Sequence, residues 1–289
     1  MRQAFEGRQV EPQATFIHLS GLPNLCCQAA GGEPNWADDL TLAWHLFYAA
    51  AQLMDSVQDG DDPNAWWAEQ GVGVALSAAS GLYFSASMAL NHLIHQLSTS
   101  EQAIEIAEDF FRTFLVMGSG QHADLTRPSM TLEQYWQQAE TKSGAFFSLA
   151  CRAGAHLACN ETAILQEYSK FGLHLGLLIQ ISDDLDDVQP PQGSSIPGQK
   201  LAFARSLPVV YALEVSPPQQ AARLRECLKA ASYSSKDAQE VVSLVDQCGA
   251  AEYVMVEMVR HKTEALAALE RAATRSPAGD ALSGLVQGF

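Results

Sequence analysis

The stretch that decides the fold reads FGLHLGLLIQISDDLDDV over residues 171–188. It is apolar on nearly every face, as expected of a helix buried in a core, and then ends in an aspartate cluster. Carboxylates at the C-terminal end of a helix are disfavoured unless a cation or solvent compensates them. Helical spacing puts four polar side chains on one face: Gln180, Asp183, Asp184 and Asp187. The pattern predicts a Mg²⁺ site that also binds phosphate groups; a solvated helix end is the alternative.

The rest of the chain also has the apolar periodicity of helices and no convincing strand pattern. Glycine or proline residues mark several of the breaks between the predicted segments. The predicted helices span 36–58, 72–97, 101–118, 131–158, 161–188, 200–214, 217–231, 235–247 and 250–273. There is no Ser/Gly-rich linker long enough to separate domains. The sequence therefore predicts a single all-α domain over residues 1–289.

Composition narrows the function classes. The net charge of −16 disfavours nucleic acid and anionic membrane surfaces, and no Lys or Arg occurs between Gln9 and Phe111. The apolar stretch from Leu40 to Met54 contains polar residues and is too short to span a bilayer, so no integral membrane segment is expected. The six cysteines lack CxxC spacing, and the N-terminus lacks an apolar signal region. We therefore expect reduced thiols and a cytoplasmic location.

Four segments resemble, in order, signatures of the trans-isoprenyl diphosphate synthases. GLLIQISDDLDDV resembles the second aspartate-rich motif of that family, FQxxDDxxD. MGSGQHADL (117–125) resembles its GQxxDL stretch, QAETKSGAFFSLACRAGA (138–155) its lysine-threonine helix, and ARSLPVVYAL (204–213) its TLPxxYAL helix. The resemblance implies the isoprenoid synthase fold, a large helical bundle around a deep apolar cavity, and a homodimer.

The first aspartate-rich motif of the family, DDxxD, corresponds to the sequence beginning at Asp55. Asp55 and Asp59 remain at positions i and i+4, whereas Ser56 replaces the middle aspartate. We expect Asp55 and Asp59 to bind metal; the alternative is that the acidic residues from Asp59 onward cap the helix and fill a loop.

The resemblance also implies a set of substrate-binding residues. Lys142 would donate to the diphosphate of an allylic substrate, and Gln180 would orient water or carbocation intermediates. The floor of the prenyl pocket would lie just before the first motif. The full set of expected substrate contacts is Phe47, Ala50, Ala51, Gln121, Asp124, Lys142, Ser143, Phe146 and Gln180.

The cations that hold isopentenyl diphosphate in this family have no counterpart here. The positions that correspond to them are occupied by residues 18–22 and by Asn64 and Ala65, and Ala204 replaces a lysine. Because a sequestered diphosphate needs cationic partners, the sequence predicts ionisation of an allylic prenyl diphosphate without chain elongation. The expected function is a Mg²⁺-dependent class I terpene synthase. The alternatives are a chain-elongating isoprenyl diphosphate prenyltransferase and a non-catalytic subunit of a heteromeric prenyl synthase.

Overall fold

The computed structural model describes residues 19–59, 66–97, 100–126, 129–188, 204–229, 235–274 and 276–289. Within these ranges the regular structure is entirely helical. The helices are α1 (Leu22–Ala29), α2 (Asp38–Asp59), α3 (Trp66–Gln70), α4 (Val72–Gln96), α5 (Ser100–Thr126), α6 (Leu132–Ala139), α7 (Ala145–His156), α8 (Thr162–Val188), α9 (Leu207–Val215), α10 (Pro218–Lys229), α11 (Ser235–Gln247), α12 (Ala250–Arg271) and α13 (Pro277–Gln287). A π-helical segment, Glu140–Gly144, joins α6 to α7.

Helix α8, which carries the aspartate cluster, lies at the centre of the main core. Leu175, Leu178 and Ile181 are almost completely buried, and α8 packs between α7 and α12. The prediction that residues 171–188 form a buried helix is therefore confirmed.

Two glycines of α8 permit an unusually close approach to the preceding helical segments. A Cβ atom at Gly172 would overlap the carbonyl group of Phe147, and one at Gly176 would overlap the carbonyl group of Ser143. The backbones of α8 and the π-helical segment are therefore in direct contact, which places Ser143 beside Gln180 on the next turn of α8.

The predicted helix boundaries hold for most elements and differ where local signals were ambiguous. Helix α5 continues to Thr126 instead of ending at 118, and its glycines lie inside the helix without ending it. The predicted helix 131–158 contains the π-helical segment, whose wider turn leaves no signature in apolar periodicity. The short helices α1, α3 and α13 were not predicted. Part of the predicted segment 200–214 lies outside the described residues, and α9 begins at Leu207.

The outward side of α4 and α5 is strongly apolar. We define this outer face by four exposed side chains, Phe84 (74% exposed), Met88 (69%), Phe111 (51%) and Leu115 (74%). Among the described residues, α4 alone is long and apolar enough to cross a membrane, with a mean hydropathy of 1.4 over its most apolar window, of which 22% is buried. A helix that packs inside a protein can pass the same test of length and composition.

Candidate active site

A cavity of about 980 Å³ opens between α2, α4, α5, the π-helical segment, α7 and α8. Part of its wall is aromatic and buried, with Phe47 and Phe146 each less than 5% exposed. Another part is polar and includes the exposed Asp183. A long apolar group could therefore lie inside the cavity while a charged head group stays at the polar end.

The aromatic wall is continuous. Phe47 stacks on Phe114 with ring centroids 4.1 Å apart, and Phe146 stacks on Trp44 at 4.8 Å. Tyr48 stacks on Phe146 at 5.6 Å. Such ring faces can stabilise a carbocation by cation–π contact.

The aspartates of α8 divide into two kinds. Asp183 is exposed and lines the cavity. Asp184 is 5% exposed, and its Oδ2 accepts hydrogen bonds from Tyr135 Oη at 2.7 Å and the Leu207 amide at 2.6 Å. Its Oδ1 accepts a hydrogen bond from Gln180 Nε2 at 2.9 Å. Asp187 lies in α8, but its side chain is outside the described part of the structure.

The π-helical segment joins the two acidic regions. The Lys142 ammonium lies 3.3 Å from Asp55 Oδ1 of α2. The neighbouring Ser143 hydroxyl donates a hydrogen bond of 2.7 Å to Gln180 Oε1 of α8. The structure therefore brings together the first motif, the Lys142-Ser143 pair and the second motif. π-Helical turns of this kind are frequent at functional sites.

The first motif is only partly described. Ser56, which replaces the middle aspartate, accepts a hydrogen bond of 3.3 Å from Trp67 Nε1. Asp59 is the last residue of α2, and its side chain is outside the described residues, so its role stays a prediction.

The remaining predicted substrate contacts fall into three groups. Phe47, Ala51, Gln121 and Phe146 line the cavity. Ala50 does not: it is completely buried in the core, because adjacent helical residues point about 100° apart and its neighbour Ala51 faces the cavity. Asp124 lies in α5 with a side chain outside the described residues.

Gln121 shows that the cavity wall is prepared for a polar ligand. Its amide oxygen and nitrogen are both buried, and neither has a hydrogen-bond partner among the described residues. Buried amides without partners are costly and rare in native proteins. A ligand in the cavity would supply the missing hydrogen bonds.

Two residues of the site were missed at the sequence level. Tyr135 and Arg205 both line the cavity. Arg205 had a usable signal, because it directly follows Ala204, where the resembling family has a lysine. Tyr135 had none, because it meets Asp184 only through a tertiary contact across 49 residues of sequence.

The tyrosines of the site stay protonated. Burial, and secondarily the nearby Asp184, raises the pKa of Tyr135 well above its ordinary value. Burial, and secondarily Asp183, raises the pKa of Tyr48. Both phenols are therefore available as hydrogen-bond donors at neutral pH.

The cavity has donors suited to a divalent ion held jointly with a phosphate. Among the described side chains, no group of three or more His, Cys, Asp or Glu residues could hold a metal by itself. Asp55 and Asp183 nevertheless contribute single carboxylates to the same cavity wall. This fits the mode in which Mg²⁺ is bound by one or two carboxylates, water and substrate phosphates.

Among the described residues, a helical bundle surrounds a cavity lined by separate carboxylates and a lysine, which is the class of site that could bind a phosphate-bearing head group with a long apolar tail. The family model of the polyprenyl synthetases matches residues 21–245. The chain therefore belongs to the polyprenyl synthetase family and is an enzyme, which confirms the resemblance found in the sequence. The alternative of a non-catalytic subunit is left without support.

Relatives extend this result. The chain is 29% identical to a geranylgeranyl diphosphate synthase of Mycobacterium tuberculosis over 269 residues, covering 89% of this chain and 75% of the relative. It is 27% identical to the tryptophan prenyltransferase ComQ of Bacillus subtilis subsp. natto over 140 residues, covering 48% of this chain and 41% of the relative.

A solved geranylgeranyl pyrophosphate synthase from Corynebacterium glutamicum, complexed with calcium and isoprenyl diphosphate, superposes with a TM-score of 0.73 at 25% identity. The match covers 93% of this chain and 82% of that one. The expected all-α isoprenoid synthase fold is confirmed.

Proposed function

We propose that this enzyme is a chain-elongating prenyltransferase, which ionises an allylic prenyl diphosphate and joins the prenyl group to isopentenyl diphosphate. The observation that carries the proposal is that Asp55, Lys142 and Asp183 line one cavity, part of whose wall is aromatic. The relationship to a geranylgeranyl diphosphate synthase over most of both chains supports elongation over the terpene synthase reading.

The chain's own residues would divide the work between the charged and apolar ends of the substrate. Asp55 and Asp183 would hold Mg²⁺, which when bound neutralises charge on the leaving diphosphate. Lys142 would release Asp55 and donate to the diphosphate, because a charge-assisted hydrogen bond to phosphate is strong. The faces of Phe47 and Phe146 would line the path of the prenyl cation. Asp59, Asp124 and Asp187 keep their predicted roles as proposals.

Elongation also requires a site for a second diphosphate, that of isopentenyl diphosphate. Because residues between Gln9 and Phe111 contain no Lys or Arg, a cation for it must come from elsewhere in the chain. Among the described residues that line the cavity, Lys142 is the lysine and Arg205 is the arginine. If Lys142 serves the allylic diphosphate, Arg205 would serve the isopentenyl diphosphate.

The same lack of cations favours a second candidate, the terpene synthase predicted from the sequence. In that reaction the allylic cation cyclises, loses a proton or captures water, and no second diphosphate is needed. The tryptophan prenyltransferase among the relatives is likewise named for a reaction whose acceptor is not a diphosphate.

Radiolabelled isopentenyl diphosphate distinguishes the two candidates. The protein is incubated with Mg²⁺, the label and each of a panel of allylic diphosphates. A longer labelled prenyl diphosphate supports elongation, and its loss in Arg205→Met with retained ionisation supports the acceptor site. Unlabelled hydrocarbon or alcohol with diphosphate release supports the terpene synthase. No diphosphate release from any substrate would contradict both.

We further propose that the chain forms one domain, acts in the cytoplasm and assembles as a homodimer through the outer face of α4 and α5. Phe84, Phe111 and Leu115 belong to that face and also line the cavity, so a second copy would cover apolar groups that otherwise contact water. Light scattering after size-exclusion chromatography tests this: the wild type should be a dimer, and Met88→Glu should yield monomers.

A further inference from the structure

A line of hydrogen bonds runs along the polar wall of the cavity from α6 through α8 to the π-helical segment. Tyr135 Oη donates to Asp184 at 2.7 Å, Gln180 Nε2 donates to the other oxygen of Asp184 at 2.9 Å, and Ser143 Oγ donates to Gln180 Oε1 at 2.7 Å. We call these four residues the relay; all four line the cavity.

The chemistry of the relay determines which way the Gln180 amide points. An ionised carboxylate only accepts hydrogen bonds, so the amide nitrogen must face Asp184 and the amide oxygen must face Ser143. The reverse orientation would set two oxygens against each other. The direction of the amide therefore depends on Asp184 staying in place.

Asp184 is held by donors from two other helices. Tyr135 of α6 and the Leu207 amide at the start of α9 both donate to Oδ2. With Gln180 on Oδ1, protein groups fill at least three of the roughly four acceptor positions of the carboxylate. Asp183, one residue away, is exposed at the cavity instead. The structure thus buries one aspartate in a hydrogen-bond network and exposes its neighbour at the cavity wall.

We propose that Tyr135 is a positioning residue: by fixing Asp184 it orients the Gln180 amide, and through Ser143 it sets the wall beside Lys142. The inference rests on the proposed function, because it concerns ionisation of the allylic diphosphate. Asp184 serves as the orienting group of the relay, and Asp183 serves as the carboxylate for the metal.

Tyr135→Phe is the direct test, since it removes one hydroxyl and keeps the ring. A misdirected amide next to the reacting group lowers kcat, and small misplacements cost roughly ten- to hundred-fold. We expect that loss in kcat with the KM for the allylic diphosphate changed less than about two-fold, because ground-state contacts persist. A variant with wild-type kcat would overturn the proposal, whatever its thermal stability.

A double variant separates orientation from unrelated damage. Ser143→Ala removes the hydrogen bond at the other end of the Gln180 amide. If both residues act through that amide, losing either one releases it, and Tyr135→Phe/Ser143→Ala should lie within about three-fold of the weaker single variant. Losses that multiply would overturn the relay. If Tyr135→Phe does not fold, the kcat of Ser143→Ala alone carries the test, with the same expected loss and the same overturning result.

A matched control and a binding measurement complete the design. The Tyr168 hydroxyl is buried without a hydrogen-bond partner among the described residues, so Tyr168→Phe should keep wild-type kcat. Calorimetric titration with inorganic diphosphate and Mg²⁺ should give Tyr135→Phe a Kd within about two-fold of wild type, while Asp183→Asn weakens binding about ten-fold or more. Equal weakening in both variants would contradict the division of roles. If the wild type turns over no allylic diphosphate, the proposed function is contradicted. If the wild type is active and Tyr135→Phe keeps its kcat, only the relay is contradicted.

Discussion

Replacing Gly176 by alanine should destabilise the protein and damage the site at once. A Cβ atom at this position would overlap the carbonyl oxygen of Ser143 and lie 2.8 Å from its carbonyl carbon, closer than real Cβ contacts. These are backbone atoms, so no rotamer change relieves the overlap, and α8 must move away from the π-helical segment. Overpacking of a core costs about 1–3 kcal/mol, and we expect Gly176→Ala to fall in the upper part of that range.

The movement would also lengthen the hydrogen bond of 2.7 Å between Ser143 and Gln180, which spans the same contact. We therefore expect kcat to fall about ten-fold or more.

Gly284→Ala is the matched control. Gly284 lies inside α13, and a Cβ built there meets nothing within 4 Å. Alanine should therefore stabilise that helix by about 0.5–1 kcal/mol through its lower backbone entropy in the unfolded chain. Urea unfolding of the two variants should give changes of opposite sign in the free energy of unfolding. Equal stability of Gly176→Ala and wild type would refute the close-packing argument.

Three other predictions test the cavity, its lysine and a buried histidine. Ala51→Phe should shift product or substrate preference to shorter prenyl chains, whereas Ala50→Phe, in the core, should cost about 1–3 kcal/mol of stability without that shift. Chain-length profiles and thermal unfolding of the two variants measure these two effects. Lys142→Gln should lower kcat/KM about 100-fold or more. It should change the free energy of unfolding by less than about 1 kcal/mol, because the ion pair of Lys142 with Asp55 is partly exposed. Unchanged steady-state kinetics would contradict the role of Lys142 as a donor to the diphosphate. Burial, and secondarily Arg260 and His174, lowers the pKa of His261 to about 3. Between pH 6.5, the ordinary pKa of histidine, and pH 3, the unfolded chain therefore binds a proton that the folded chain does not. Stability should be full above pH 6.5 and fall with decreasing pH by up to about 1.4 kcal/mol per unit, and His261→Gln should flatten this slope in pH-dependent unfolding.

Much of the site could be predicted because its chemistry is local in sequence. The aspartates of α8 stand out against an apolar helix, and Lys142-Ser143 belongs to a recognisable segment. The expectation that elongation is absent rested on missing cations between residues 9 and 111. The comparisons support elongation better, and the structure adds that Arg205, which follows Ala204 far along the chain, lines the same cavity.

The apolar outer face escaped prediction for a different reason. Helix α4 was correctly predicted at 72–97, but its periodicity could not tell which of its apolar residues would be buried against α2. A helix that is apolar on most sides can cover two surfaces, and only the packed structure leaves Phe84 and Met88 exposed.

The sequence by itself determined the all-helical class, the buried course of α8 and the identity of the carboxylates, because periodicity and residue type are local properties. The tertiary structure decided what neighbouring residues do. Adjacent positions on a helix point about 100° apart, so Ala51 faces the cavity where Ala50 enters the core. Likewise Asp183 is exposed at the cavity, whereas Asp184 is buried and accepts a hydrogen bond from Tyr135, which lies on a helix 49 residues earlier in the chain.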